Sequence, residues 1–391
     1  MNGDENMNYL QETMAEKEFL KDTYRWFHMH PEASRHEVET HAHIREMLRA
    51  MDIRYLSPLE NVTVACIGKE GGRKVGLRVD TDALQVTEQT GLEYASIYPG
   101  MMHACGHDAH IACGLCAAKL LKRHEDRLAG GVKVLFQPAE EGEMGAPTLI
   151  ATHAADDIQA FFGMHVWSPG RAGELRVSPG GMTASCDMFT LRIHGRAGHG
   201  ALPQECLDAV VCASAVVMNL QTIASRFISP MDPVVVTVGS LHAGTRCNVI
   251  AGEAVLEGTM RAFREDTRAA LKELFERVVR ETCGAYGCTV DIELRAVTGV
   301  TWNDEKLCGI ARRAASEMGM ETVSDEPCMM ADDFADYGAI GPGCYVRVGV
   351  GNAEIGACHP HHSGLFRIDE DALPAAAAWI AGMAETYLSE K

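Results

Sequence analysis

The feature that most constrains the fold is an alternation of strand and helix patterns that is interrupted once. Before the interruption the pattern comprises a helix at 36–51, strands at 62–68 and 74–80, a helix from His107 to about His124, a strand at 132–138, a short helix near 145–152 and a strand at 160–166. Segment 74–80, KVGLRVD, is rich in Val and Leu, as a strand covered on both faces should be. This alternation predicts an α/β fold with a largely parallel sheet flanked by helices.

The interruption has a different order of elements. It reads as a strand at 187–195, a helix at 206–225, strands at 233–244 and 254–263, a helix at 264–283 and a strand at 288–297. This βαββαβ order is the split unit of ferredoxin-like folds. The α/β pattern then resumes with a helix at 304–318, a strand at 344–351 and a helix at 371–388. We therefore predict an inserted domain, 184–298, within a larger discontinuous domain, 1–183 and 299–391.

Composition narrows the classes of partner. The 391 residues suffice for two domains, and 35 Lys and Arg against 54 Asp and Glu give a net charge of −19. Phosphate binding requires basic patches, so we expect no nucleic acid partner. The polar N-terminus does not resemble a signal peptide, and no apolar run approaches a membrane-spanning length. Since the 14 cysteines are scattered singly, we expect reduced thiols and a cytoplasmic location.

Side chains able to bind metal follow several of the predicted strands. They are Asp80 and Asp82 after segment 74–80, Glu140 and Glu141 after 132–138, His165 at the end of 160–166, His359, His361 and His362 after 344–351, and Cys105 and His107 within MMHACGHDAH, 101–110. The carboxyl ends of parallel strands meet at one edge of a sheet, where α/β proteins place their sites. We therefore expect these side chains to lie close together.

A set of thiol, imidazole and carboxylate ligands suits Zn, Mn, Co or Ni. The ligands outnumber what one tetrahedral ion needs, which favours two ions that together activate a water and polarise a carbonyl. In this interpretation Glu141 binds metal, Glu140 is the general base, and Asp82 orients His107. Two alternatives remain open at this point. One is a cysteine hydrolase with Cys105 as nucleophile and His107 as base, and the other is a metal-binding protein without catalysis.

The motifs together resemble a known family. DTDAL, HACGHDAH, FQPAEEG, GMHVW, GRAGHGALP, CNVIAGEAVLEGTMRAF, DDF and HHS occur in this order. They are similar to the amidohydrolase branch of the dinuclear-metal aminoacylase/carboxypeptidase family. That branch includes hippurate hydrolases, N-acyl-amino-acid amidohydrolases, auxin-conjugate hydrolases and aminobenzoyl-glutamate hydrolase subunits. The resemblance runs from HPEAS, 30–34, to the last predicted helix.

The resemblance implies roles for individual residues. The metal ligands would be Cys105, in a bridging place that an aspartate holds in related branches, with His107, Glu141, His165 and His362. His362 is chosen over its neighbouring histidines by its place directly before Ser363. Glu140 would be the catalytic glutamate. The inserted domain would be a lid that forms a homodimer, with His199 stabilising an oxyanion, often across the dimer, and with Asn248 and Arg261 binding the substrate or its carboxylate.

The expected function is metal-dependent hydrolysis, by a metal-bound hydroxide, of the amide in an N-acyl or N-aroyl amino acid or a similar small conjugate. A metallocarboxypeptidase acting on aminobenzoyl-glutamate or dipeptides is the alternative. The chain departs from the family pattern at Gln85, Glu143 and Gln204, where relatives have Pro, a Gly-rich stretch and His. These departures concern substrate identity and leave the hydrolytic chemistry unchanged.

Overall fold

The structure is a computed structural model that describes residues 8–142 and 145–390. The helices in this part of the chain are α1 Tyr9–Ala15, α2 Lys17–Met29, α3 Val38–Ala50, α4 His107–Arg123, α5 Gly145–Ala151, α6 Ala209–Thr222, α7 Glu265–Ala285, α8 Glu305–Glu317 and α9 Leu373–Ser389. The strands are β1 Arg54–Leu59, β2 Val62–Gly68, β3 Lys74–Asp80, β4 Gly131–Gln137, β5 Ala160–Arg171, β6 Leu175–Arg176, β7 Gly180–Thr183, β8 Cys186–His194, β9 Gly198–His199, β10 Val234–Ala243, β11 Val249–Ile250, β12 Glu253–Ala262, β13 Thr289–Thr298, β14 Thr301–Asn303, β15 Thr322–Val323 and β16 Gly343–Gly351.

The chain divides into two compact units. The larger unit contains the described residues up to Gly180, Trp302–Glu326, and the described residues from Asp333 onward. The smaller unit contains Gly181–Thr301 and Pro327–Asp332. The roles expected for these units, metal binding for the larger and a lid for the smaller, stay a prediction.

The larger unit is built on a mixed sheet that is mostly parallel. Its strands follow the order β1-β2-β4-β3-β5-β16-β14. β3 is parallel to β4 and β5, and β16 is parallel to β5 and β14, whereas β1 and β2 are antiparallel. In this register Asp80 pairs with Gln137, so β3 and β4 end side by side. The predicted α/β class with a largely parallel sheet is confirmed.

Apolar side chains cover both faces of this sheet. On one face, α4 and α9 pack on β3 and on each other, and almost all of α4 is buried. Gly114 of α4 lies so close to the sheet that a Cβ would come 2.6 Å from Val79. The other face carries a second cluster that includes Phe161, Leu149 and Tyr337. A sheet covered on both faces leaves its strand ends as the place for polar chemistry.

The smaller unit has an antiparallel sheet of four strands in the order β10-β12-β8-β13. Along the chain its main elements run β8-α6-β10-β12-α7-β13. α6 and α7 pack against each other and contribute, with Phe189 and Leu256 of the sheet, to a separate apolar core. The more specific ferredoxin-like assignment stays a prediction.

Several elements differ from the sequence-based expectation. The sequence patterns did not predict α1, α2 or the edge strand β1, and β5 continues five residues beyond the predicted end at residue 166.

The helical segment Ala209–Phe227 is 19 residues long with a mean hydropathy of 1.3, so by length and composition it would suffice to cross a membrane. Our expectation that no apolar run approaches that length was therefore wrong. One such helix is weak evidence for a membrane span, because core helices pass the same test of length and composition. In this helix 28% of the window is buried.

Candidate metal centre

The five predicted ligands lie together in the larger unit. Cys105, His107 and His165 form one group, and Cys105, Glu141 and His362 form another. Within each group the candidate ligand atoms lie within 4.8 Å of one another. Cys105 belongs to both groups, which is the arrangement that a ligand shared by two cations needs. Glu141 follows β4, His165 lies within β5 and not at its end as predicted, Cys105 and His107 flank the glycine before α4, and His362 follows β16.

A glycine places two of these residues. Gly106 has φ +90° and directly precedes α4, which begins at His107. A Cβ at position 106 would lie 2.4 Å from Cγ2 of Val166, so both the left-handed backbone and the close approach favour glycine. The turn thus brings Cys105 and His107 into one candidate ligand group.

Two of the histidines use Nδ1 for a backbone hydrogen bond, which leaves Nε2 available as a metal ligand. His107 Nδ1 donates to the backbone oxygen of Asp82 at 2.9 Å, and His165 Nδ1 donates to the backbone oxygen of Val166 at 2.5 Å. These bonds fix the tautomer in which Nε2 carries the lone pair. Nε2 of His107 is buried and has no hydrogen-bonding partner among the described residues, and Nε2 of His165 lies 3.4 Å from Cys105 Sγ. The unpartnered Nε2 of His107 and the approach of His165 Nε2 to the thiol both fit a metal centre.

The electrostatic environment also fits cations. Burial lowers the pKa of His107, but Asp80, Asp82 and Glu141 outweigh it and raise this pKa to about 10. Burial and then the neighbouring carboxylates, Glu141 foremost, raise the pKa of the Cys105 thiol well above its usual value. The contributions of the carboxylates to both shifts indicate negative charge in a buried place. A divalent cation would compensate this charge and stabilise the thiolate.

The same shift argues against the cysteine-hydrolase alternative. A nucleophilic cysteine needs a lowered pKa and a base within hydrogen-bonding reach, whereas the thiol of Cys105 has a raised pKa. The proposed base, His107, directs Nδ1 toward Asp82, and the imidazole that is hydrogen-bonded to the thiol belongs to His165.

Asp82 serves two parts of the site. Its Oδ1 lies 3.3 Å from Nδ1 of His107, so it orients this ring together with its own backbone oxygen. Its carboxylate also accepts the backbone N–H groups of Glu140 and Glu141, at 3.1 and 3.0 Å. Ser34 donates to the same carboxylate at 2.6 Å. The second of these roles, and the contribution of Ser34, were not visible in the sequence.

The three histidines after β16 have different surroundings. His362 has φ +66°, its N–H donates to Ala104, and its Nε2 lies 2.9 Å from Oε1 of Glu141. His361 instead accepts the N–H of Ser168 at 3.3 Å, and burial lowers its pKa to about 3. His359 belongs to none of the candidate ligand groups. Among the three, the geometry favours His362.

Asp80 is a possible metal ligand by its sequence position, but both of its carboxylate oxygens accept hydrogen bonds from other side chains. Its Oδ1 accepts from Nδ1 of His110 and its Oδ2 accepts from Arg78, both at 2.5 Å. His110 Nε2 accepts the N–H of Val166 at 2.9 Å, so this imidazole joins the end of β3 to the residue after His165. Asp80 and His110 form another candidate ligand group with His107, but both Asp80 oxygens and both His110 nitrogens already have hydrogen-bonding partners.

The remaining predicted residues lie in the smaller unit. His199 is on β9, opposite Val249 of β11, and the N–H of Gly200 donates to the backbone oxygen of Asn248 at 3.0 Å. Nδ1 of His199 accepts the N–H of Ala201 at 3.1 Å, so in the neutral ring Nε2 carries the proton. His199 and Asn248 are thus brought together.

Arg261 lies in the other sheet of the same unit. It sits on β12 opposite Val235, is half-buried, and donates to the backbone oxygen of Met260 at 3.2 Å. Glu143, at which the sequence departs from the family pattern, lies outside the described residues.

The comparisons with known proteins agree with this geometry. The profile described as Peptidase family M20/M25/M40 matches residues 76–386. The N-acetyl-L-cysteine deacetylase of Bacillus subtilis strain 168 is 35% identical over 366 residues, which are 93% of this chain and 87% of the relative. Thermostable carboxypeptidase 1 of Saccharolobus solfataricus is 33% identical over 356 residues, which are 89% of this chain and 90% of the relative.

A solved structure extends the likeness to the fold. The crystal structure of the Bacillus subtilis YXEP protein, described as a dinuclear metal binding peptidase from the M20 family, has a TM-score of 0.86 and 33% identity. The match covers 96% of this chain and 99% of that one. The predicted resemblance is confirmed: the chain belongs to peptidase family M20/M25/M40.

Proposed function

We propose that this chain is a metal-dependent amidohydrolase that cleaves the amide bond of N-acyl or N-aroyl amino acids or similar small conjugates. The observation that carries the proposal is the pair of ligand groups that share Cys105, with Glu140 near a member of each group. Glu140 is grouped with His107 and Glu141, yet it belongs to neither of the two groups that contain the thiol. A carboxylate that is near the ligands and is not needed as one suits a general base.

The residues of the larger unit would divide the work as follows. Cys105, His107 and His165 would hold one divalent cation, and Cys105, Glu141 and His362 a second. When bound, such ions polarise a carbonyl and lower the pKa of a water molecule. Glu140 would take a proton from the attacking water and return it to the leaving amine nitrogen. Asp82 accepts the backbone N–H groups of Glu140 and Glu141, and it would thereby fix the position of the base, Glu140, relative to the ligand, Glu141.

The residues of the smaller unit would act on the substrate. His199, whose Nε2 carries the proton, would donate to the oxyanion of the tetrahedral intermediate. Arg261 and Asn248 would bind the carboxylate of the amino acid, because a guanidinium group matches a carboxylate with two parallel hydrogen bonds. These three assignments rest on the resemblance of GRAGHGALP and CNVIAGEAVLEGTMRAF to the family pattern.

The test is hydrolysis of a panel of N-acetyl, N-benzoyl and indoleacetyl amino acids by metal-stripped protein reloaded separately with Zn, Mn, Co or Ni. We expect activity only after reloading, with Zn or Mn most effective. Thiolate ligation by Cys105 favours Zn, whereas the carboxylates also suit Mn. Full activity of the metal-free protein, or two bound ions without activity on any member, would contradict the proposal.

The second candidate is a metallocarboxypeptidase that acts on dipeptides or aminobenzoyl-glutamate. The 33% identity with a carboxypeptidase supports it. Both activities need a substrate carboxylate, so Arg261→Ala does not separate them. Relative kcat/KM on N-acetyl amino acids and on dipeptides with the same C-terminal residue does separate them, and we expect the acyl amino acids to be preferred.

We also propose a homodimer formed through the smaller unit, and a cytoplasmic location. Large apolar side chains are exposed on this unit at Val210, Val211, Met218, Phe227 and Met231. Exposed apolar side chains are common at interfaces, and a second copy of the chain is the partner that the family resemblance implies. None of the 14 cysteines, which all lie in the described part of the chain, forms a disulfide, and this fits a reducing compartment. Light scattering coupled to gel filtration would reveal a dimer, and Met218→Asp should convert it to a monomer.

A further inference from the structure

Glu37 is a buried acid that the proposed mechanism does not use. It lies directly before α3, and its side chain is fully buried. Its Oε1 accepts the N–H of Arg35 at 2.9 Å and the N–H of Ala139 at 2.7 Å, and its Oε2 accepts from Asn61 at 3.2 Å. A buried carboxylate with three hydrogen bonds is well satisfied, so its role depends on what these bonds fix.

The two backbone groups that share Oε1 belong to residues in a rare conformation. Arg35 has φ +68° and Ala139 has φ +55°. Residues other than glycine are uncommon in the left-handed region, and they persist there when surrounding interactions determine the backbone. One oxygen of Glu37 thus supports two left-handed residues that are more than a hundred positions apart in the chain.

Ala139 directly precedes the two glutamates of the metal centre. The N–H groups of three successive residues, Ala139, Glu140 and Glu141, all donate to buried carboxylates, the first to Glu37 and the next two to Asp82. The left-handed residue turns the chain after β4, so that Glu141 reaches His362 while Glu140 remains outside the groups that contain the thiol. If the first of the three bonds is lost, the turn is free to relax.

We propose that Glu37 is a positioning residue: by accepting the Ala139 N–H it maintains the left-handed turn that places Glu140 and Glu141. This inference rests on the proposed function for the role of Glu140, whereas its consequence for metal binding through Glu141 does not depend on any substrate. Residues that orient metal ligands typically change metal affinity or activity by about 10–100-fold when they are altered.

The experiment compares Glu37→Ala, Glu37→Asp and Glu37→Gln in the full chain, with Zn or Mn as the probe. Removing or shortening the side chain withdraws the acceptor from Ala139. We expect binding of the second ion to weaken about 10-fold and kcat to fall about 100-fold, with little change in KM. Gln retains Oε1 in the same place, so Glu37→Gln should stay within about threefold of the wild type on both measures.

A second substitution tests the left-handed turn directly. Glycine adopts positive φ without strain, so Ala139→Gly in the Glu37→Ala background should recover at least about 10-fold of the lost kcat and most of the metal affinity. Asn61→Ala is the matched control, since it removes only the partner of Oε2 and should leave both quantities unchanged. Thermal denaturation of each variant reports general destabilisation separately.

The proposal is overturned if Glu37→Ala and Glu37→Asp bind the second ion and turn over as the wild type does. It is equally overturned if Glu37→Gln behaves as Glu37→Ala, or if Ala139→Gly recovers nothing. Where Glu37→Ala does not fold, the comparison of Asp with Gln gives the same decision. If the wild type hydrolyses no acyl amino acid, the proposed function fails, and the metal titrations still decide the role of Glu37.

Discussion

Nε2 of His362, in the loop of three histidines after β16, lies 2.9 Å from Oε1 of Glu141. The two side chains are grouped with the thiol of Cys105. A contact of this kind between a histidine and a carboxylate is replaced by coordination when both bind one cation. The pair therefore marks where the second ion should be held.

His362→Ala should reduce the bound metal from two ions per chain to about one, because the second group loses one of its three protein ligands. Turnover should fall at least about 100-fold, within the range that loss of a cation or its aligned base produces. Elemental analysis of the purified protein gives the stoichiometry. His359→Ala is the control, and it should retain both ions. Loss of an ion in the control with retention in His362→Ala would reverse the assignment.

Glu140→Gln should retain both metal ions and lose turnover. The substitution preserves the shape of the side chain and removes the proton acceptor, and general acid–base catalysis contributes about 10²–10⁴ in rate. Metal content and the circular dichroism spectrum should match those of the wild type. A variant that keeps more than a tenth of the activity would show that another group takes the proton, and the role of Glu140 would then be structural.

Cys105→Asp should keep both ions and change which metal works best. Aspartate offers two hard oxygens in place of a soft sulfur, so the preference should move from Zn toward Mn. We expect the ratio of Zn to Mn affinity to fall at least about 10-fold, measured by competition with a chelating dye. Cys105→Ala, which removes the shared ligand altogether, should bind neither ion tightly. An unchanged ratio in Cys105→Asp would argue that Cys105 does not bridge the ions.

The strand ends and their side chains could be predicted because their pattern is local. KVGLRVDTD places Asp80 and Asp82 at the end of a strand whatever the rest of the chain does, and the glycine at position 106 signals the turn before α4. Parallel pairing then implies that several such ends meet at one edge of the sheet. These are inferences from spacing and from a general rule of α/β folds.

The supporting contacts could not be predicted in this way. Glu37 accepts a hydrogen bond from Ala139, about a hundred residues later in the chain. His110 of α4 accepts one from Val166 of β5. Nothing in the local sequence distinguishes Glu37 from an exposed acid at the start of a helix. The left-handed backbone at Ala139, where glycine would be the usual signal, also leaves no trace in the sequence.

His41 gives a prediction for the pH dependence of stability. It is fully buried, with Nε2 bonded to Thr81 at 3.1 Å and Nδ1 bonded to Thr63 at 3.0 Å. Burial lowers its pKa to about 3. Its pKa in the unfolded chain is about 6.5, so below that pH the unfolded state binds a proton that the folded state does not. The stability that neutral His41 contributes is therefore present above about pH 6.5 and is lost as the pH falls toward 3.

The measurement is urea denaturation of metal-free wild type and His41→Gln between pH 7.5 and 5. Gln does not titrate, so the difference in the free energy of unfolding between the two proteins should shrink by about 1.4 kcal/mol per pH unit below pH 6.5. Taking the difference cancels the contributions of the other buried histidines, among them His361. A difference that stays constant from pH 7.5 to 5 would mean that His41 accepts a proton in the folded protein, and that the two threonines do not enforce its neutral form.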